Sequence, residues 1–385
     1  MKKTISTILL IVLTMTLITG CGGGSTKNDD VIKIGINYEL TGEVASYGQA
    51  SVDGIELAIE EINAAGGING KKIEAVKYDN KSDKSQATTL ATKLMTQDKV
   101  VAVLGPATSG AFKATIPEAI KNKVVVASGS ATSDEVTVDD KGVKEYAFRI
   151  CFTDSYQGTA MANYALNNMN QTKAVVIMDN SSDYAKGLAA NFTKTFEAGG
   201  GEVVATEAFV AGDKDFNAIL TKIKGQDFGV IFLPGYYEEA GLIIRQAREQ
   251  GIDTPILGAD GFGAPELTEL AGADALNNVF FSSHFSSLDK DPSVAGFIEN
   301  FSKKHGKEPD QFAALGYDLA MFLADGIKRA GSTDTVAIKD ALAATKDFKG
   351  ITGSFSMDEN HNPVKAVVVV GIENGVHATS ERVAQ

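Results

Sequence analysis

Residues 100–132 read VVAVLGPATSGAFKATIPEAIKNKVVVASGSAT, and the fold is decided there. The unbroken apolar run Val100 to Leu104 predicts a strand buried on both faces. A turn of small residues follows (Pro106 to Gly110), then a helix starting near Gly110. A second apolar run, Val124 to Ala127, ends in another small-residue turn, Ser128 to Thr132. Strand, helix and strand in that order form a parallel βαβ unit. Both turns then follow the carboxyl ends of adjacent strands, where open α/β sheets bind their ligands. Hydroxyls beside the N–H groups of a helix start suit a small anion such as a carboxylate. Ser109, in the N-cap position of that helix, and Thr132, in the matching place after the next strand, are the candidates. Each is also an ordinary cap or turn residue. It is the pair at one sheet edge that points to a ligand.

Working outward, the same alternation recurs. Val31 to Tyr38 is a strand, and the loop Glu39 to Gly48 leads to a helix with Ile55, Ile59 and Ile62 at helical spacing. Gly66-Gly67 ends that helix. A strand over 72–78 and a helix carrying Leu90, Leu94 and Met95 complete the approach to Val100. After a short strand at 146–150 a second βα series begins, with strands near 174–178, 202–208, 228–233, 255–259 and 279–283. Helices over 292–305, 311–330 and 335–345 follow, then late strands at 353–356 and 365–372. The expected fold is α/β, two doubly wound parallel-sheet lobes facing across a cleft. The lobes are assigned to 31–150 plus 284–355 and to 151–283 plus 356–385. Crossings near Arg149–Thr153, Phe281–His284 and Phe355–Asp358 form a hinge that lets them close.

The second lobe offers partners for the other end of a zwitterion. Asp260 follows the strand 255–259 and can meet an ammonium, although an Asx-turn explains it equally well. Tyr184 and Tyr236 also follow strand ends there, and Tyr47 lies in the first lobe. Their amphipathic rings suit a pocket that holds an aliphatic group and still hydrogen-bonds.

The ends and the composition exclude several functions. Lys2, Lys3 and the apolar run Ile8 to Ile18 read as an export leader over residues 1–20. It ends in Ile18-Thr19-Gly20-Cys21, which looks like a lipobox with Cys21 as the lipidated mature terminus. Residues 21–30 are a polar, glycine-rich tether. With Cys21 acylated, Cys151 has no disulfide partner, and its flanks Ile150 and Phe152 make it a buried small hydrophobe. The formal charge of −13 argues against nucleic acid and against a polybasic membrane patch. No metal-ligand spacing and no phosphate-binding glycine loop occurs, so no metal and no cofactor is expected. No histidine neighbours Ser109 in sequence and no nucleophile elbow surrounds it, so no catalytic residue is assigned.

These residues, together with Leu40-Thr41-Gly42, Tyr47-Gly48, Ala64-Ala65-Gly66-Gly67-Ile68-Asn69-Gly70, Tyr78-Asp79, Tyr184-Ala185-Lys186-Gly187, Asp213-Lys214-Asp215-Phe216, Arg245-Gln246-Ala247 and Tyr317-Asp318, carry a resemblance. The chain from about Val31 to Gly375 resembles the type I periplasmic binding proteins of ABC transporters, in particular the leucine/isoleucine/valine-binding group. The resemblance implies a Venus-flytrap fold with a three-strand hinge. It implies that an α-carboxylate meets Ser109, Thr132 and backbone N–H groups beside them, at Ala131 among others. It implies that the α-ammonium meets the Ser130 carbonyl, Asp260 and Tyr236, while Tyr47, Ala107, Thr108, Tyr184 and Phe312 line the side-chain pocket. The implied role is an extracytoplasmic lipoprotein, monomeric and anchored to the membrane through Cys21. It would pass an amino acid to ABC permease subunits. Asp260 departs from the glutamate frequent in the family, and Ser82 and Thr108 stand near the positions of a family disulfide. Thr108 makes its wall more polar, which admits alanine, serine or threonine beside the branched aliphatics. The alternatives are a ligand-sensing input protein for a separate receptor and an exported amidase.

Overall fold

The computed structural model describes residues 31–383. The expected leader, tether and Cys21 lie outside the described residues.

The first lobe is a five-stranded parallel sheet. It begins with β1 (Val31–Tyr38), followed by α1 (Ala45–Ala64), β2 (Lys72–Asp79), α2 (Lys84–Lys93) and β3 (Ala102–Leu104). Next come α3 (Ser109–Asn122), β4 (Val125–Ser128), a small hairpin of β5 (Val138–Asp139) and β6 (Gly142–Val143), and β7 (Ala147–Arg149). The strand order is β2-β1-β3-β4-β7. Leu104 is level with Ala127 in the β3–β4 register, so the turns after β3 and β4 leave the sheet side by side. Strands β3, β4 and β7 are buried throughout, as a parallel sheet covered on both faces requires. In β1, Ile32, Ile34 and Ile36 are all buried, and each such side chain contributes about 1.5–3 kcal/mol.

The second lobe starts with α4 (Asp154–Asn163), β8 (Lys173–Asp179), α5 (Asp183–Ala198), β9 (Glu202–Phe209), α6 (Asn217–Lys224) and β10 (Val230–Leu233). It continues through α7 (Tyr237–Glu249), β11 (Ile256–Gly258), a 3-10 turn at Asp260–Phe262, α8 (Glu266–Ala271) and β12 (Val279–Ser283). The chain then runs through α9 (Pro292–His305), α10 (Gln311–Ala330), α11 (Thr335–Ala343) and the hairpin of β13 (Phe348–Gly350) with β14 (Gly353–Phe355). It ends with β15 (Val367–Glu373) and β16 (Val376–Val383). The second sheet has the order β16-β15-β12-β11-β10-β8-β9. Its strands β12, β11, β10, β8 and β9 are parallel as expected. The structure adds an antiparallel edge, because β15 runs antiparallel to β12 and β16 antiparallel to β15. β16 had no apolar signal because it is an edge strand whose residues are nearly all exposed.

The chain passes between the two sheets after β7, after β12 and between β14 and β15. What returns α10 to the first lobe is a close crossing with α1. A Cβ on Gly54 would lie 1.9 Å from the Ala313 carbonyl oxygen, and one on Gly316 would lie 2.0 Å from that of Ser51. Only glycine at both positions lets the two backbones touch.

Candidate functional site

The turns after β3, β4, β10 and β11 and the first turns of α1, α3, α5 and α10 converge on one cavity between the lobes. It is lined by Tyr47, Ala107, Thr108, Ser109, Ser130, Tyr184, Tyr236, Asp260, Gly261 and Phe312. In this closed arrangement it measures about 10 Å3, room for roughly one water. Of the residues expected at the site, Ala131 and Thr132 stand behind this wall, both fully buried. Gly261 is on the wall and was missed. A larger cavity of about 550 Å3 lies behind the Asp260 turn, lined by Phe262, Phe281 and Phe285 among others. None of the expected contact residues lines it.

The first-lobe half is rich in hydrogen-bond donors. Ser109 is the first residue of α3 and not its N-cap, which corrects the sequence reading. Thr108 takes the cap position, and its side chain makes no capping bond, leaving the first-turn N–H groups for another acceptor. The Ser109 hydroxyl accepts a hydrogen bond from the Ser133 N–H (3.0 Å), so its own proton is free to be donated. The loop before α3 is held from behind by Glu39, a buried residue the sequence reading overlooked. Its carboxyl accepts from the Ala107 N–H (2.9 Å), the Thr108 N–H (3.1 Å) and the Thr108 hydroxyl (2.9 Å). Burial pushes the Glu39 carboxyl above its ordinary pKa, and these bonds oppose the shift. The Thr108 hydroxyl thereby donates its proton to a partner 69 residues away that nothing in the local sequence signals.

Three other hydroxyls of the pocket, those of Ser130, Tyr47 and Tyr184, are also engaged. Ser130 Oγ donates to the Ala107 carbonyl (3.0 Å). Tyr47 lies in the first turn of α1 and not in the loop expected there. Its hydroxyl crosses the cleft, donating to the Gly261 carbonyl (2.6 Å) and accepting from the Tyr237 N–H (3.2 Å). Tyr184, in the first turn of α5, donates to Asp260 Oδ1 (2.7 Å) and accepts from the Gly261 N–H (3.0 Å). The rings close a box. Tyr236, the N-cap of α7, stacks on Tyr184 at 5.2 Å, and Tyr47 packs at 5.6 Å from Tyr236 and 4.3 Å from Phe312.

The acidic half holds two carboxyls where one was expected. Asp260 is 3% exposed. Behind it Gln157 joins the second, Asp154, by donating to Asp154 Oδ1 (3.0 Å) and accepting from the Asp260 N–H (3.4 Å). Asp154 is fully buried in the first turn of α4, and its Oδ2 and the Thr132 hydroxyl have no hydrogen-bond partner. Burial, reinforced by the nearby Asp260, holds the Asp154 carboxyl well above the usual carboxylate range. His284 stacks on Phe152 and sits 3.8 Å from Asp260, but burial pushes its imidazole down to about 4. It is neutral at pH 7 and brings no charge to balance the acids. Buried unpaired carboxyls are costly, so this pair suits a cation. Sequence inspection passed over Asp154 because it reads as a first-turn helix acid behind the Thr153 cap.

Known proteins resemble this chain along most of its length. The family described as periplasmic binding protein matches residues 31–376. The leucine-, isoleucine-, valine-, threonine- and alanine-binding protein of Pseudomonas aeruginosa is 33% identical over 330 residues, covering 86% of this chain and 86% of its own length. Among solved structures, the branched-chain amino acid transporter substrate-binding protein LivJ of Streptococcus pneumoniae, in complex with isoleucine, is 47% identical. It has a TM-score of 0.87 and covers 92% of this chain and 99% of its own. The leucine-binding protein LivK of Thermotoga maritima is 34% identical, with a TM-score of 0.84, and covers 92% of this chain and 98% of its own.

Proposed function

The chain belongs to the periplasmic binding protein family, and on that premise we propose that it captures a branched-chain α-amino acid in the interlobe cleft and hands it to a membrane permease of the ABC type. The observation that carries the reading is a cavity with opposite polarity at its two ends. Ser109 and the N–H groups of α3 stand on one lobe, and the carboxyls of Asp260 and Asp154 on the other. A zwitterion satisfies both at once. The carboxylate takes the Ser109 hydroxyl and the donors around Thr132, while the ammonium takes Asp260, Asp154 and the Ser130 carbonyl.

The walls select the side chain. Tyr47, Tyr236, Phe312 and Ala107 line the cavity with largely apolar surface, and a branched aliphatic side chain buried against them gains about 1.5–3 kcal/mol. The Thr108 and Ser130 hydroxyls donate to Glu39 and to the Ala107 carbonyl. Isoleucine, leucine and valine are therefore favoured over serine and threonine.

The lobes are 31–150 with 284–355 and 151–283 with 356–385. With room for about one water in the closed cleft, entry of a ligand requires them to part. The protein works outside the cytoplasmic membrane, as a monomer tethered through lipidated Cys21. It binds without converting its ligand, because the Ser109 hydroxyl is paired with a backbone N–H and not with a base.

Calorimetry with the twenty amino acids tests this reading. Isoleucine, leucine and valine are expected to bind about tenfold more tightly than serine or threonine, in line with the burial above. Asp260→Ala is expected to weaken isoleucine by about 2–3 kcal/mol by leaving the ammonium underpaired. Equal affinity for isoleucine and threonine would sink the side-chain assignment, and unchanged affinity in Asp260→Ala would remove that residue from the site.

A further inference from the structure

We propose that Arg149, which does not reach the cavity, is a positioning residue for the ligand's carboxylate and supplies the positive field of that subsite through the backbone. The proposal rests on the reading that Ser109 and the Thr132 region hold an α-carboxylate. Arg149 is fully buried. Its Nη1 donates to the carbonyls of Ala131 (3.2 Å), Thr132 (2.8 Å) and Ser133 (2.7 Å). Nη2 lies 3.4 Å from the Asp134 carbonyl and 3.5 Å from the Thr137 hydroxyl, and Nε donates to Asn362 Oδ1 (2.7 Å). Arginine ion pairs among the described residues involve Arg329 and Arg382 instead. Asp154, Asp134 and Asp358 act on Arg149 only at longer range.

A guanidinium buried on carbonyls orients the peptide units that carry them. In a planar trans peptide the C=O and the following N–H point in opposite directions. With the Ala131 and Thr132 carbonyls turned to Arg149, the N–H groups of Thr132 and Ser133 turn away from it. The second of these lands on Ser109 Oγ at 3.0 Å, and Ser109 lines the cavity. Successive N–H groups aimed one way form an anion-binding concavity. An α-carboxylate beside Ser109 sits at the positive end of peptide dipoles whose negative ends face the arginine. The same side chain also joins this loop to the hinge. Arg149 opens the first crossing, and Asn362 lies on the third, where its Oδ1 also accepts from the Thr137 hydroxyl (2.7 Å).

Asn362→Asp tests the proposal. It keeps the size of the acceptor and sets a carboxylate on Arg149. Affinity for isoleucine is expected to fall about tenfold, while affinity for isoleucinamide, which keeps the ammonium and side chain but not the carboxylate, changes less than about twofold. Asn362→Ala removes the acceptor without adding charge, and should leave the isoleucine-to-isoleucinamide ratio within about twofold of wild type. Thermal melts establish that each variant folds. An unchanged ratio in Asn362→Asp, with the wild-type preference for isoleucine intact, would overturn the role of Arg149. Wild-type protein that does not prefer isoleucine over isoleucinamide would overturn the underlying carboxylate site itself.

Discussion

Asp260 lines the cavity, Asp154 lies behind it through Gln157, and His284 beside Asp260 is neutral. Burial and mutual repulsion raise the Asp154 carboxyl. An ammonium placed between the two acids reverses the repulsion and lowers that pKa, so amino-acid binding should release a proton. Titrations in buffers of different ionisation heat are expected to give different apparent enthalpies for the wild type and the same enthalpy for Asp154→Asn. Buffer-independent heats in the wild type would end this account. At this scale the sequence was informative about residue types that follow strands. Ser109, Asp260, Tyr184 and Tyr236 were legible because each stands just past a strand that its own apolar run announces. Glu39 and Asp154 were not legible. Each is an acid whose only distinction is its tertiary burial, Glu39 on the distant Ala107 N–H and Asp154 beneath Asp260 through Gln157.

Helix ends carry the site, and most of them were readable to within a residue or two. The exceptions are instructive. α3 begins at Ser109 because Thr108 gives its hydroxyl to Glu39, so the cap position and the expected cap side chain separate. α1 begins early enough to include Tyr47, which Val44, a poor cap, did not advertise. Within the first lobe, α10 also supports the hairpin that precedes the third crossing. The buried carboxylate of Asp318 on α10 accepts from the Ile351 N–H (2.8 Å), the Thr352 N–H (2.7 Å) and the Thr352 hydroxyl (2.6 Å). Asp318→Ala strands three donors and is expected to lower unfolding free energy by about 3 kcal/mol in urea titrations. A loss below about 0.5 kcal/mol would show that the hairpin holds itself.

Across the whole molecule, buried polar side chains hold the crossings together. Lys365, on the third crossing, donates to the Ile150 carbonyl on the first (3.2 Å) and to the Thr352 hydroxyl (2.7 Å). Burial pushes its ammonium down to about 8 from 10.5. The folded pKa is below the unfolded one, so between these values the unfolded chain binds more protons. The contribution of Lys365 to stability therefore rises as pH increases from about 8 to 10.5. Between pH 7 and 9.5, the stability of the wild type relative to Lys365→Met should increase by about 2 kcal/mol in urea unfolding. A difference that stays flat or falls over that range would contradict the buried, charge-destabilised ammonium.

By itself the sequence determined the two βα series, the parallel core of each sheet and the strand ends at which a ligand is met. These follow from local apolar runs and turn chemistry, which act over a few residues. The stretch Val100 to Thr132 carried most of that information. Tertiary structure decided what local patterns do not encode. It made the second sheet mixed, brought Asp154 beside Asp260, turned the Thr108 hydroxyl toward Glu39 and set Arg149 behind the carboxylate loop. Each of these depends on which distant group removes water from a polar atom and takes its place as partner. That is a property of the packed chain, with no trace in the spacing of its residues.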